Sequence, residues 1–109
     1  LMKYCFALDL KDNPKLIKEY EDYHKSVWPE ILDSIKNSGI DNMEIYIAGN
    51  RLFMIIKTNS KFSFDIKKQL DRKNNHVQKW ERLMSQYQKN LPFSKPGEKW
   101  VLMKKIFSF

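Results

Sequence analysis

The chain has 109 residues, of which 42% are hydrophobic and 14% aromatic, enough for the core of one domain over residues 2–109 with no Pro/Gly/Ser-rich linker to divide it. Its net charge is +7, but the lysines are scattered among Asp and Glu rather than gathered into the patch that phosphate binding requires, so no nucleic-acid partner is expected. Cys5 is the sole cysteine, which excludes an internal disulfide, and no signal-like segment or membrane-length apolar run is found. A cytoplasmic protein without a membrane partner is the expectation, with Leu1 ahead of Met2 left out of the fold as an addition to the natural chain.

Lys3 to Leu10 alternates, with Tyr4, Phe6, Leu8 and Leu10 on one face, the period of a half-buried strand. Asn13-Pro14 then offers an N-cap followed by proline at the first helical position, and Leu16, Ile17, Tyr20, Tyr23 and Val27 form an apolar stripe. Pro29 disfavours helical geometry at Trp28, so the spacing predicts a bend or restart there, with helix continuing through Ile31, Leu32 and Ile35 to a stop at Gly39. Two strands, Met43 to Ile47 and Leu52 to Lys57, flank the turn signal Gly49-Asn50.

Ser60 to Arg72 reads as a short helix, and Asn75 to Gln78 resembles a capping box that opens a stronger one with Val77, Trp80, Met84 and Tyr87 as its buried stripe. After a loop from Pro92 to Gly97, the aromatic and β-branched run from Trp100 to Phe109 predicts a closing strand. The resulting order, strand-helix-strand-strand-helix-strand, is the ferredoxin-like βαββαβ plan of an α+β sandwich, with helices on one face of an antiparallel sheet. The second face then needs a cover. A domain this small gains from an oligomer interface, and a homodimer is expected.

Tyr20, His24 and Trp28 follow one another at i, i+4 and i+8, which stacks the first two about 5 to 6 Å apart at Cβ on one helix face. A histidine exchanges protons near neutral pH, a tyrosine donates or accepts a hydrogen bond, and a tryptophan packs on the apolar C–H face of a pyranose. The trio is thus a candidate sugar site, although the same spacing fits ordinary helix-face residues. His76 sits in a polar run at a helix start and reads as surface. No Cys pair or HxxxH spacing is present for a metal, and no P-loop, GxGxxG or GxSxG turn for nucleotide or acyl chemistry. Neither metal nor cofactor is expected, and Cys5, within a strand, reads as a buried inert thiol.

The segment Tyr20-Glu21-Asp22-Tyr23-His24-Lys25-Ser26-Val27-Trp28-Pro29-Glu30 resembles the Y-x-x-x-H-x-x-x-W-P-E signature of the L-rhamnose mutarotases. Ile45-Tyr46, Gln78-Lys79-Trp80, Pro96-Gly97-Glu98-Lys99-Trp100 and Ile106-Phe107 extend the likeness over most of the chain. The resemblance implies a homodimeric α+β barrel of ferredoxin-like protomers and a cofactor-free aldose 1-epimerase acting on L-rhamnose or a related sugar such as L-fucose. It also implies that His24 is the proton donor and that Tyr20 and Trp80 bind the sugar. Met43 and Glu81 stand where the family's bacterial members carry tyrosine and a second tryptophan in contact with sugar, so these two positions are expected to set which 6-deoxy sugar is taken. On fold alone, a cofactor-free monooxygenase or a ligand-binding dimeric α+β barrel is the alternative.

Overall fold

The computed structural model describes residues 2–109, and Leu1 lies outside the described residues. The elements in chain order are β1 (Met2–Leu10), α1 (Pro14–Tyr23), α2 (Pro29–Asn37), β2 (Ile40–Ala48), β3 (Arg51–Thr58), α3 (Phe64–Lys73), α4 (Asn75–Ser85), β4 (Gln88–Lys89) and β5 (Val101–Leu102). The sheet is antiparallel in the order β2-β3-β1-β4, with β5 also on β1. This is the expected ferredoxin-like α+β arrangement, with one change at the edge.

That change concerns the last strand. Trp100 to Phe109 does not run as one strand: Val101 and Leu102 pair with Ala7 and Phe6, Met103 N still donates to the Cys5 carbonyl at 2.7 Å, and residues 104–109 leave the sheet. The other end of the same edge, Asp9 and Leu10, is taken by Lys89 and Gln88, a segment the sequence did not mark as strand. Continuing the observed register would set residues 104–106 opposite Tyr4 to Met2 of β1, but the chain leaves the sheet before reaching them. Ile106 is 90% exposed and Phe107 77%.

Local chemistry explains the other elements. The Asn13 side chain accepts from Lys15 N and Leu16 N, and Pro14 opens α1. The helix stops earlier than the stripe suggested, at Tyr23, and His24 to Ser26 tighten into i→i−3 turns before Pro29 opens α2. Trp28, at φ −56° and ψ 135°, has the extended backbone that a following proline imposes. At the end of α2, Gly39 has φ +93°, and a Cβ there would stand 2.7 Å from Phe62 N, so glycine is required on two counts. Gly49 at φ +60° with Asn50 at negative φ makes the two-residue β2–β3 turn of the II′ kind.

The cap of α4 is Asn74, not Asn75. Its side chain accepts from His76 N and Val77 N, while Gln78 Nε2 reaches back to the Asp71 carbonyl of α3. One asparagine therefore ends α3 and begins α4. His76 is exposed, as expected; Cys5 is half-buried rather than buried, because it points away from the helices.

On one face of the sheet Leu8, Leu10, Leu52 and Ile56 are buried, and of these Leu10 and Leu52 pack with Tyr20 of α1, Met84 of α4 and Tyr87; Val77 of α4 is buried as well. Each fully buried leucine of this kind contributes on the order of 1.5 to 3 kcal/mol. The opposite face carries Cys5, Ala7, Phe53 and Ile55, aligned across β1 and β3. This core brings Tyr20 of α1 together with Trp80 of α4 and with Ile45 and Leu52 of the hairpin, and that juxtaposition builds the site.

Candidate active site

Because residues 24 to 26 turn with i→i−3 hydrogen bonds, the backbone N–H of His24 goes to the Glu21 carbonyl and leaves the Tyr20 carbonyl without a main-chain donor from that residue. The His24 ring fills the gap. Its Nδ1 lies 2.8 Å from the Tyr20 carbonyl oxygen. A carbonyl only accepts, so Nδ1 carries a proton and Nε2 is left as the nitrogen that can give or take one. The imidazole also lies over the Tyr20 ring, with centroids 4.5 Å apart and planes inclined by 35°.

Tyr20 and His24 line a cavity of about 260 Å³ whose other side is formed by Ile45, Ile47 and Leu52 of the hairpin, with Glu21, Lys25 and Tyr46 also on its wall. A pyranose has apolar C–H faces and a polar equator, and this lining offers aliphatic surface opposite a titratable pair. A larger concavity of about 400 Å³ lies along the hairpin between Tyr46 and Phe53. Its cation, Arg51, is already bound to Asp9 at 2.8 Å, and it brings no acid and base together, so the smaller cavity is the site that can do proton chemistry.

Burial pushes the Tyr20 phenol above its ordinary value, and the Gln88 amide, with Nε2 3.4 Å from Tyr20 Oη, draws it partly back. Tyr20 is therefore a neutral hydrogen-bonding group at physiological pH. Behind it, the Tyr87 hydroxyl donates to Glu19 Oε1 at 3.0 Å, and burial together with that carboxylate pushes the Tyr87 phenol up to about 12. Lys25 is turned to Asp22, 3.1 Å away, and Lys18 meets the same carboxylate at 2.9 Å.

Trp80 of α4 meets the His24 ring edge to face at 5.6 Å, and Trp28 meets Trp80 at 5.1 Å. Thus Tyr20, His24 and Trp80 form one connected ring cluster with Trp28 one ring further out, but neither Trp80 nor Trp28 is on the cavity wall. Met43 is half-buried on β2, on the same face as Ile45 and Ile47 but not in the lining. Glu81 stands apart from the imidazole. The charges that act on it are those of Asp71, Lys99 and Lys67, and its carboxyl is raised first by burial and then by Asp71.

The sequence reading missed Leu52, Ile47 and Gln88. Strand alternation alone would have placed Ile47 beside Ile45, whereas Gln88 carried no signal, because its role comes from a two-residue pairing with the end of β1. Among the described residues, no three His, Cys, Asp or Glu side chains gather to hold a metal, and no helix is long and apolar enough to cross a membrane.

The family model for L-rhamnose mutarotase matches residues 3–109. The chain belongs to the L-rhamnose mutarotase family. Mutarotases interconvert sugar anomers, an isomerase activity. Among similar proteins, an L-fucose mutarotase of Xanthomonas campestris is 38% identical over 99% of this chain and 88% of its own length. An L-rhamnose mutarotase of Paraburkholderia phytofirmans is 38% identical over 54% of this chain and 57% of its own. Among solved structures, the L-rhamnose mutarotase of Formosa agariphila superposes with a TM-score of 0.73 at 20% identity, covering 100% of this chain and 99% of that one. Tetracenomycin F2 cyclase of Streptomyces glaucescens follows at 0.58 and 14% identity, over 100% and 97%. At those identities the two structures speak for the shared fold of this mutarotase family member, and the cyclase shows how different a chemistry that fold can carry.

Proposed function

We propose that this protein is a cytoplasmic mutarotase of free 6-deoxy-L-hexopyranoses, with L-fucose preferred to L-rhamnose, and that His24 and Tyr20 carry the proton chemistry. The observation behind this reading is the His24 ring held by the Tyr20 carbonyl at 2.8 Å on the wall of a cavity of about 260 Å³. The preference for L-fucose rests on the full-length likeness to a protein of that name and on Met43 and Glu81 in place of the aromatic pair.

In the proposed reaction, protonated His24 gives its Nε2 proton to the ring oxygen as the anomeric O1–H proton passes to water. The C1–O5 bond opens to the aldehyde, C1 turns about the C1–C2 bond, and the O5 hydroxyl recloses on the other face, returning its proton to Nε2 while O1 regains one from water. No electron is transferred and no group leaves, so the chemistry calls for neither metal nor cofactor. Tyr20 hydrogen-bonds a ring substituent and fixes the pyranose against the imidazole. A positioned acid typically contributes about 10² to 10⁴ in rate, which suits a reaction that already proceeds slowly in water. Trp80 and Trp28 supply aromatic surface beside the cavity for the C–H face of the sugar.

The working form is a homodimer. Support comes from the helix-free face with Phe53 and Ile55, and from the apolar end Ile106, Phe107 and Phe109, which finds no place on its own chain. Neither nucleic acid nor membrane enters this reading.

The test is saturation transfer between the α and β anomeric protons of L-fucose and L-rhamnose by NMR. Rates well above the buffer rate for either sugar support the proposal, with L-fucose the faster. Rates equal to buffer for both refute it.

A further inference from the structure

Two consecutive residues following α4 grip two consecutive residues of α1. Tyr87 Oη donates to Glu19 Oε1 at 3.0 Å, and Gln88 Nε2 faces Tyr20 Oη at 3.4 Å. Tyr87 and Tyr20 are both buried, at 5% and 4% exposure, while their partners Glu19 and Gln88 are half-buried. The gripping pair is itself anchored by main chain: Lys11 N donates to the Tyr87 carbonyl at 2.8 Å, and Gln88 pairs with Leu10 at the end of β1. The Gln88 amide is therefore set by the sheet edge and not by a mobile loop.

A phenol has a single O–H and oxygen lone pairs that accept. If an amide N–H fills an acceptor position on Tyr20 Oη, the Tyr20 O–H is left for a partner in the cavity. If the amide oxygen faced Tyr20 instead, it would draw that O–H to itself. We propose that Gln88 is a positioning residue for Tyr20: its amide donates to the hydroxyl oxygen and so reserves the Tyr20 O–H for the sugar. This rests on the reading that Tyr20 touches the sugar. The 3.4 Å separation lies at the long end for such a bond.

The experiment compares Gln88→Leu, which neither donates nor accepts, with Gln88→Glu, which only accepts, each alone and combined with Tyr20→Phe, in the full chain. Anomer exchange of L-fucose is read by NMR and thermal unfolding serves as the control for folding. Gln88→Leu is expected to slow exchange by about 2 to 10-fold, the worth of one hydrogen bond, with the loss in kcat more than in KM. Gln88→Glu should be slower still, because its carboxylate competes with the sugar for the Tyr20 O–H. Both substitutions should be without further effect once Tyr20 is phenylalanine.

The proposal is overturned if Gln88→Leu exchanges like the native chain while Tyr20→Phe is impaired, if Gln88→Glu matches the native chain, or if the Gln88→Leu loss persists in full beside Tyr20→Phe. A second readout stands apart from activity: with ¹³C at tyrosine Cζ, the Tyr20 resonance should move in Gln88→Leu and the Tyr4 resonance should not. An unmoved Tyr20 resonance overturns the contact. Native exchange at the buffer rate, or Tyr20→Phe as active as native, refutes instead the assignment of the sugar site.

Discussion

The His24 ring meets Trp80 edge to face, with centroids 5.6 Å apart, while its Nδ1 is held by the Tyr20 carbonyl. Two independent contacts, one from its own helix and one from α4, thus fix the plane of the imidazole and the direction of Nε2. His24→Ala is expected to lower anomer exchange by about 10²-fold or more, the scale of one positioned acid, with little change in thermal stability. Tyr20→Phe should cost less, since it removes a hydrogen bond to substrate and keeps the ring that packs the core. The measurement is NMR exchange beside circular dichroism melting; a fast His24→Ala protein would remove histidine from the mechanism.

Met43 is half-buried on the strand face of Ile45 and Ile47 but outside the cavity lining, and Glu81, on α4 directly after Trp80, is exposed and stands apart from the imidazole. Burial raises the Glu81 carboxyl, with Asp71 adding to the effect and Lys99 and Lys67 opposing it. A carboxylate that meets a sugar hydroxyl selects strongly for sugars that place a donor there, and an indole selects for shape. Met43→Tyr with Glu81→Trp should shift the ratio of L-fucose to L-rhamnose exchange rates toward L-rhamnose. A folded double variant with the native ratio would assign specificity elsewhere.

The chain beyond Met103 contributes Ile106, Phe107 and Phe109 to solvent in the single protomer. Apolar side chains exposed at that density are stabilised by burial at about 25 cal/mol per Å² when a second copy covers them. Sedimentation equilibrium at micromolar concentration should therefore return twice the 13.2 kDa chain mass, and a chain ended after Met103 should shift toward the single mass. A native chain that sediments at 13.2 kDa would exclude the dimer.

Stability at alkaline pH should carry the signature of Tyr87, whose phenol is pushed up to about 12 by burial and by the Glu19 carboxylate. Folded Tyr87 keeps its proton over the interval in which the unfolded chain gives it up. Its contribution is present in full below the ordinary phenol value of 10.0 and is lost as pH rises through the folded value. Tyr87→Phe should be less stable than the native chain by about 1 to 2 kcal/mol at neutral pH, and the gap should narrow above about pH 10. Urea midpoints taken at a series of alkaline pH values test this, and a gap constant through that range would contradict it.

Local patterns in the sequence were enough for the alternation of β1, the Asn13-Pro14 start of α1, the Pro29 restart, the Gly49-Asn50 turn and the pairing of Tyr20 with His24, because each depends on neighbours within one or two turns of chain. The same local rules misjudged the end of α1 and the cap of α4, where an i→i−3 turn and a shared Asn74 compete with the regular helix. What the tertiary structure decided is the set of long-range partners: Trp80 on His24, Gln88 on Tyr20, and the division of one edge of β1 between Gln88–Lys89 and Val101–Leu102. Hydrophobic period reports which face a residue takes and says nothing of which distant residue meets it there. Trp100 to Phe109 has the composition of a strand, but composition alone does not secure pairing: the chain leaves β1 after Met103, although the register would still set residues 104–106 opposite Tyr4 to Met2.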